Sequence, residues 1–505
     1  MNAGAADPSG ATAPGVPDAL PHEADGGWHR VHPLTPAVRS WQVVVVVLVV
    51  VAQDWGQAAA RGERGPWPDG GPIPGFGVLP AVGGVGLAVL LVVVMAWLSW
   101  RVTRYRVTQD ALELHHGVIS RRQRRARLDR LQAVDVVQPL VARVVGLAKL
   151  SVEVAGGQDS KIELAYLTFD QAQQLRNHLL ARAAGVRYDT VHAPEAPEHQ
   201  MLQVPVDRLI GSLVLSGPTL LLTVTALGLA GATGWLRSPA PVAGTVPLLL
   251  GLGSLLWQRF ARGFGFTAAT SPDGLRLRHG LLEHRTQTVP PGRVQAVRMR
   301  QPLLWRRPDW WRVEVNVAGY GRGGDERRET ESVLLPVGHR EEAMAVVAFV
   351  LPDLTVAAPD DARTVVSAAM SGSGTGNGFV TCPRPARWLD PLAWRRNGFR
   401  VTEEALIIRR GWLHRQVDFV PHARTQSCGV RQGWLQRRLG VASFHLHSTP
   451  GPIVPVVPHL STADAATLLA EQSERARRAR AAAGPELWME PYADGPAGPV
   501  ADADQ

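Results

Sequence analysis

Arginine supplies the densest chemical signal in this chain. Arg121, Arg122, Arg124, Arg125 and Arg127 fall within seven residues, and clustered guanidinium groups suit anionic lipid because they form charge-assisted hydrogen bonds to phosphate oxygens. The same run suits a solvated edge strand, since charge on an exposed edge discourages pairing with other chains. Arg306 and Arg307 stand beside Trp305, Trp310 and Trp311, rings that either insert at an interface or fill a β core. His115 and His116 are adjacent and point to opposite faces of a strand. His445 and His447 share a face, but no carboxylate or cysteine lies at ligand spacing, so no metal site is expected. Cys382 and Cys428 stand far apart without a CxxC spacing. The glycine run at 372–378 lacks the Lys-Ser/Thr of a phosphate loop. No nucleophile stands with a base, and no carboxylates form a pocket signature. Catalytic residues and cofactors are therefore expected to be absent, and the chain is read as non-enzymatic.

The elements that carry these residues are unevenly polar. The net charge of +9 over 505 residues would suit nucleic acid or an anionic membrane surface. Uncharged apolar runs at 43–52, 76–100, 209–235 and 239–258 make the membrane the nearer anion, and no nucleic-acid partner is expected. A helix needs roughly 20 apolar residues to cross the hydrocarbon core. The second and third runs meet that length, the fourth just does, and the first is shorter but bracketed by Trp41 and Trp55. The four are read as two hairpins. Arg101, Arg104, Arg106, Arg208, Arg259 and Arg262 flank their inner ends, while the outer loops carry only Arg61, Arg64 and Arg237. Positive residues favour the cytoplasmic side, so both termini are expected there, in the cell membrane.

A repeat then organises the polar sequence. Gly117, Gly280 and Gly411 are each followed thirteen residues later by Arg130, Arg293 and Arg424. Gln132, Gln295 and Gln426 come two residues on, Gln138, Gln301 and Gln432 six beyond those, and Arg143, Arg306 and Arg437 five further. Each copy alternates as β-strand in its body. A helix follows, at 168–184, 339–351 and 461–483, with Thr168 and Ser461 available as N-caps. The repeated arginines and glutamines are read as serving the shared fold rather than a ligand, although Arg130, Arg293 and Arg424 could also meet a lipid head group.

The segments RLQAVDVVQPLVARVVGLAKLSV, RVQAVRMRQPLLWRRPDWWRVEV and RTQSCGVRQGWLQRRLGVASFHL resemble those of bacterial pleckstrin-homology-like membrane proteins of the YdbS/YdbT type. The resemblance covers both hairpins and all three repeats. It implies a multi-pass membrane protein with α-helical transmembrane hairpins and three PH-like domains, each an antiparallel β barrel or sandwich capped by a C-terminal helix; it supplies no reaction. The expected order is a disordered tail over 1–36, hairpin 1 over 37–101, PH-like domain 1 over 102–184, hairpin 2 over 208–260 and PH-like domain 2 over 261–352. A linker over 353–395, flexible by its Gly and Ser content, leads to PH-like domain 3 over 396–483 and a second disordered tail over 484–505. No apolar pair precedes the third repeat, which is expected to fold alone.

The reading that follows is a membrane-anchored scaffold whose cytoplasmic domains bind anionic lipid head groups or proteins. Expected partners are membrane lipid, a membrane protein that itself carries a PH-like domain, or further copies of the chain. One alternative is an assembly module that never reads lipid. Another is a transporter or transport accessory subunit, for which only Pro218 and Pro247 offer hints of broken spans.

Overall fold

The computed structural model describes residues 27–38, 78–108, 111–117, 122–127, 131–154, 161–183, 198–237, 240–271, 274–318, 332–352, 361–449 and 451–482. The first repeat comprises β1 (His29–Arg30), α1 (Val78–Val102), β2 (Arg104–Val107), β3 (Ala111–His116), β4 (Arg122–Arg127), β5 (Leu131–Pro139), α2 (Leu140–Val144), β6 (Leu147–Val154), β7 (Lys161–Thr168) and α3 (Phe169–Ala183). The second comprises β8 (His199–Gln203), α4 (Val206–Val214), α5 (Gly217–Leu236), α6 (Ala240–Gly263), β9 (Thr267–Ser271), β10 (Gly274–His279), β11 (Glu283–Val289), β12 (Val294–Pro302), β13 (Trp310–Val317), β14 (Val333–His339) and α7 (Arg340–Val350). The third comprises α8 (Ala362–Ser371), β15 (Val380–Thr381), β16 (Gly398–Val401), β17 (Ala405–Arg410), β18 (His414–Pro421), β19 (Ser427–Arg431), α9 (Trp434–Arg438), β20 (Val441–His447), β21 (Val456–Ser461) and α10 (Thr462–Ala482).

Alternation of apolar and polar residues puts one face of each strand inward, and the closing helix covers the open side. In the first repeat Leu112, Leu150, Val152 and Leu164 meet Ala172, Leu175 and Leu179 of α3. Thr168 caps α3 by accepting from the Gln171 amide at 3.3 Å, and Ser461 caps α10 by accepting from the Asp464 amide at 3.0 Å.

The repeats are not separate bodies. β7-β6-β5 of the first continue directly into β11-β10-β9-β8 of the second, giving seven strands; β14-β13-β12 of the second continue into β18-β17-β16-β15 of the third. β5 and β11 pair with Glu283 opposite Pro139, and β12 and β18 with His414 opposite Pro302. Among the described residues, only β1-β2-β3-β4 at one end and β19-β20-β21 at the other stand as sheets of a single repeat. Each junction buries charge: Arg285 on Asp135 at 2.9 Å, and Arg298 on both Asp418 oxygens at 2.6 and 2.9 Å. Burial works against the Arg298 charge, but Asp418 more than offsets it, so the Arg298 pKa lies above its ordinary value. Asn316 further ties the second repeat to the Ile453 amide and carbonyl of the third.

These junctions correct the expectation that the third repeat folds alone, because Ile407, Val417 and Phe419 sit in one core with Val297, Met299 and Val313. The 353–395 segment also departs from a flexible linker. Residues 353–360 lie outside the described residues, but α8 buries Val365, Val366, Ala369 and Met370. Arg396 then donates to the Ala369, Met370 and Gly372 carbonyls, and Arg409 to that of Gly374. Those carbonyls at the helix end and beyond would otherwise lack partners, and two distant arginines, not local composition, order the glycine run.

The apolar helices differ from the expected four spans. Among the described residues one helix, Gly217–Leu236, is long and apolar enough to cross a membrane, and Leu90–Val102 is a shorter apolar stretch. The run at 43–52 and both expected tails, apart from 27–36, lie outside the described residues. The run expected to start at 209 divides instead: Leu209 and Ser212 of α4 are buried in the second repeat, and α5 restarts with Pro218 in its first turn. Proline lacks the amide that would continue the preceding helix but suits a first turn, so Pro218 begins a helix rather than breaking one. α6 packs beside α5 and carries Pro247 in its interior.

Removing either partner of the Arg298–Asp418 pair should strand a buried charge. Arg298→Ala or Asp418→Ala is expected to cost about 3–5 kcal/mol, and Arg298→Met with Asp418→Leu to recover most of it. Denaturant unfolding of the purified chain in detergent checks this; additive losses in the double variant would deny the coupling.

Candidate functional site

The point where each helical insertion leaves its sheet defines one rim of the molecule. In the first repeat Arg30 pairs with Arg104 across the insertion, and in the second Gln203 pairs with Thr267. The chain thus leaves and re-enters at neighbouring strand ends. Trp100 of α1 donates to the Val31 carbonyl at 2.9 Å, and Trp305 to the Ser212 carbonyl of α4 at 3.1 Å, which ties the helices to the sheets.

The β10–β11 turn lies at the same rim. The Gly280 amide donates to Phe264 and the Leu281 amide to Ala261 at the end of α6, each at 2.8 Å. Gly280 has φ +113°, and a side chain there would strike the Glu283 carbonyl; Gly117 and Gly411 hold positive φ at the same repeat position. Because Pro139 faces Glu283 and Pro302 faces His414, the short helical turns after β5 and β12 reach the rim too. They expose Leu140 and Val144, then Leu303 and Leu304; the equivalent α9 exposes Trp434 and Leu435. Arg143, Arg306 and Arg437 accompany them. Arg306 lies over the Trp412 ring at 5.4 Å. Trp305 and Trp311 are buried, so they fill the core.

A small cleft opens at the root of α6, lined by Arg259, Arg262, Phe266, His279, Arg312 and Val333. Arg312 donates through Nε to Glu314 at 2.8 Å, and with Arg259 and Arg262 beside it the lining is net basic, which suits an anion. His279 is stacked on Phe266 and hydrogen-bonded to the Arg262 carbonyl at 3.0 Å, with Nδ1 donating. Its pKa is pushed down to about 4, chiefly by burial and then by Arg285, partly offset by that carbonyl. Among the described residues no group of His, Cys, Asp and Glu could hold a metal.

Arg122, Arg124, Arg125 and Arg127 are strung along β4 rather than gathered at the rim. Arg121 lies outside the described residues, and Arg122 is a register position opposite His116. Arg125 is drawn to Glu113 at 3.5 Å, a carboxylate that Arg106 also holds at 2.6 Å. Arg127 lies at the far end from the rim. Among the repeated motif residues, Gln138 donates to the Leu147 carbonyl and Gln432 to that of Val441, closing the same loop nine residues on. Gln301 instead donates to Asp309 at 2.9 Å and accepts from Arg415, and Gln295 donates to the Arg293 carbonyl. Arg424 crosses the junction to the Gly292 carbonyl, and the Gln426 amide donates to His447. Arg130 lies outside the described residues, and Gln132 is a β5 position. Arg312 and His279 escaped sequence reasoning because they come together from strands of different hairpins; Arg259 and Arg262 registered only as flanking charge.

The bacterial PH domain family model matches residues 71–183, 219–354 and 344–476. This chain belongs to the bacterial PH domain family. The first two matches take in helical insertion as well as sheet, so in those repeats the rim lies within the family's own unit. The PH-domain chain is also similar to the UPF0699 transmembrane protein YdbT of Bacillus subtilis (strain 168), at 20% identity over 306 residues, covering 54% of this chain and 62% of that one. It thus spans less than two thirds of that relative's length. No solved structure matches.

Because the folded His279 pKa lies below the unfolded value of about 6.5, protonation favours the unfolded chain. Stability should fall as pH drops from about 6.5 toward about 4. His279→Gln should flatten that slope in melts taken across this range; an unchanged slope would exclude His279 as its source.

Proposed function

We propose that this chain is a non-catalytic, membrane-anchored scaffold whose fused PH domains hold one rim against an anionic bilayer surface. The observation that carries the reading is the root of α6: an exposed apolar helix pair rises from a cleft lined by three arginines. α5 exposes Leu220, Leu221, Val224 and Leu227, and Trp235 at the tip and Trp257 toward the root lie where interfacial aromatics belong. Basic pockets at the inner end of a span suit anionic head groups. The relative named as a transmembrane protein agrees with this placement. In this reading the apolar runs span as hairpins, the sheets and termini are cytoplasmic, and no span carries the charged residue a transport path needs.

A second reading, protein assembly, is favoured by β4. It ends a sheet among the described residues, and its equivalents β11 and β18 each pair with a preceding PH domain. By repeat register Arg122 and Arg124 match Arg285 and Asp418, whereas the free β19 offers Gly429 where Asp135 and Arg298 stand. A strand from a different PH-domain chain with a carboxylate there fits β4 better than a second copy does. Slower amide exchange of β4 in native membranes than in purified protein would support this, and equal exchange would remove it.

Native mass spectrometry of the detergent-extracted chain should find bound anionic phospholipid, reduced several-fold by Arg259→Gln, Arg262→Gln and Arg312→Gln together. Retention by the triple variant would exclude the cleft. For topology, Cys428→Ser leaves only Cys382, which is buried with its thiol pushed up to about 12 by burial and by Asp390. In that background Arg237→Cys should react with an impermeant reagent in intact cells and Glu403→Cys should not; the reverse would invert the orientation.

A further inference from the structure

We infer that residues 382–397 of the third repeat form a membrane-surface foot, standing where the other two repeats carry helical insertions. This rests on the reading of the rim as membrane-facing. The positional equivalence is set by strand register: Thr381 of β15 pairs with Gly398 of β16, as Gln203 pairs with Thr267 and Arg30 with Arg104. The segment therefore leaves and re-enters its sheet at the rim. Gly398 pairs in turn with Arg409, and the following β17–β18 turn carries Trp412 to the Arg306 guanidinium, beneath α4. The foot is thus a lateral neighbour of the hairpin root.

Its surface has the composition of a bilayer interface. Trp388 is 72% exposed and Leu392 59%, and Arg384, Arg387 and Arg395 are exposed around them. Arg387 lies over the Trp388 ring at 5.4 Å, and Arg395 over Trp394 at 5.3 Å. Aromatic rings settle at the head-group level, and flanking arginines add attraction to anionic lipid. Among the described residues nothing covers the Trp388 and Leu392 side chains.

The foot is also rigid. Asp390 accepts from the Ala393 amide at 3.2 Å and from the Asn397 side chain at 2.7 Å, and Asn397 accepts from the Gly411 amide at 3.0 Å. Ala386 and Ala393 are buried beneath, and Arg396 fastens the base to the end of α8. A preformed projection meets a surface without the cost of ordering. The occupant we assign is the interfacial layer of the bilayer that receives hairpin 2, since the rim already adjoins that hairpin.

The test uses the full chain in nanodiscs containing anionic phospholipid, in the Cys428→Ser background. An environment-sensitive fluorophore is placed singly at Trp388→Cys, Leu392→Cys, Leu282→Cys and Glu403→Cys, and spin-labelled lipids serve as quencher. Leu282 lies in the β10–β11 turn at the hairpin root, and Glu403 in the β16–β17 turn at the far end. Labels at 388 and 392 should be blue-shifted and quenched at least twofold more than at 403. Quenching at 282 without quenching at 388 and 392 would overturn the foot and leave the membrane-facing rim standing. Absence of quenching at 282, 388 and 392 would overturn both, and equal quenching at 403 would overturn the assignment of one rim to the bilayer.

Discussion

A sheet edge with unpaired amides and carbonyls must be covered, blunted or paired, and this chain pairs its inner edges with one another. The second strand hairpin of each later repeat completes the sheet of the repeat before it. From those two junctions follow the shared cores and the alignment of the later two turns, at Gly280 and Gly411, along one rim. Independent domains on linkers could tilt separately; fused sheets cannot do so without breaking ladders of backbone hydrogen bonds.

The two junctions share geometry but not polarity. In the first, the carboxylate is on the earlier repeat, as Asp135; in the second it is on the later one, as Asp418. By register Asp135 and Arg298 occupy the same place. Docking the third repeat onto the first would bring Asp135 to Asp418, two carboxylates in a buried setting, which is strongly unfavourable. The order of the array is therefore encoded in its buried charges.

Much of the repeat was legible because its signals are local. Gly117, Gly280 and Gly411 mark turns that need positive φ, and two of the three spaced glutamines, Gln138 and Gln432, close a loop nine residues on. Sheet sharing was not legible, because β11 has the same alternating pattern whether its partner belongs to its own repeat or another. The 353–395 stretch read as linker from its glycines and serines, although the end of α8 and the glycine run after it are held by Arg396 and Arg409 beyond them. The apolar run from 209 concealed a boundary, since hydropathy does not distinguish Leu209 in a protein core from Leu220 on an exposed helix. Pro218 marked that boundary, and it was weighed as a possible break within a span.

The insertion points have a consequence for how such a chain can change. Everything between Gln203 and Thr267, or between Thr381 and Gly398, begins and ends on paired neighbouring strands, so its length does not alter the sheet that brackets it. One of these sites holds two long helices and the other a compact Trp-bearing loop. Each is a socket, and the parts of its contents that stand outside the core, such as the α5–α6 pair, can be exchanged in heredity or in the laboratory while the framework keeps its register.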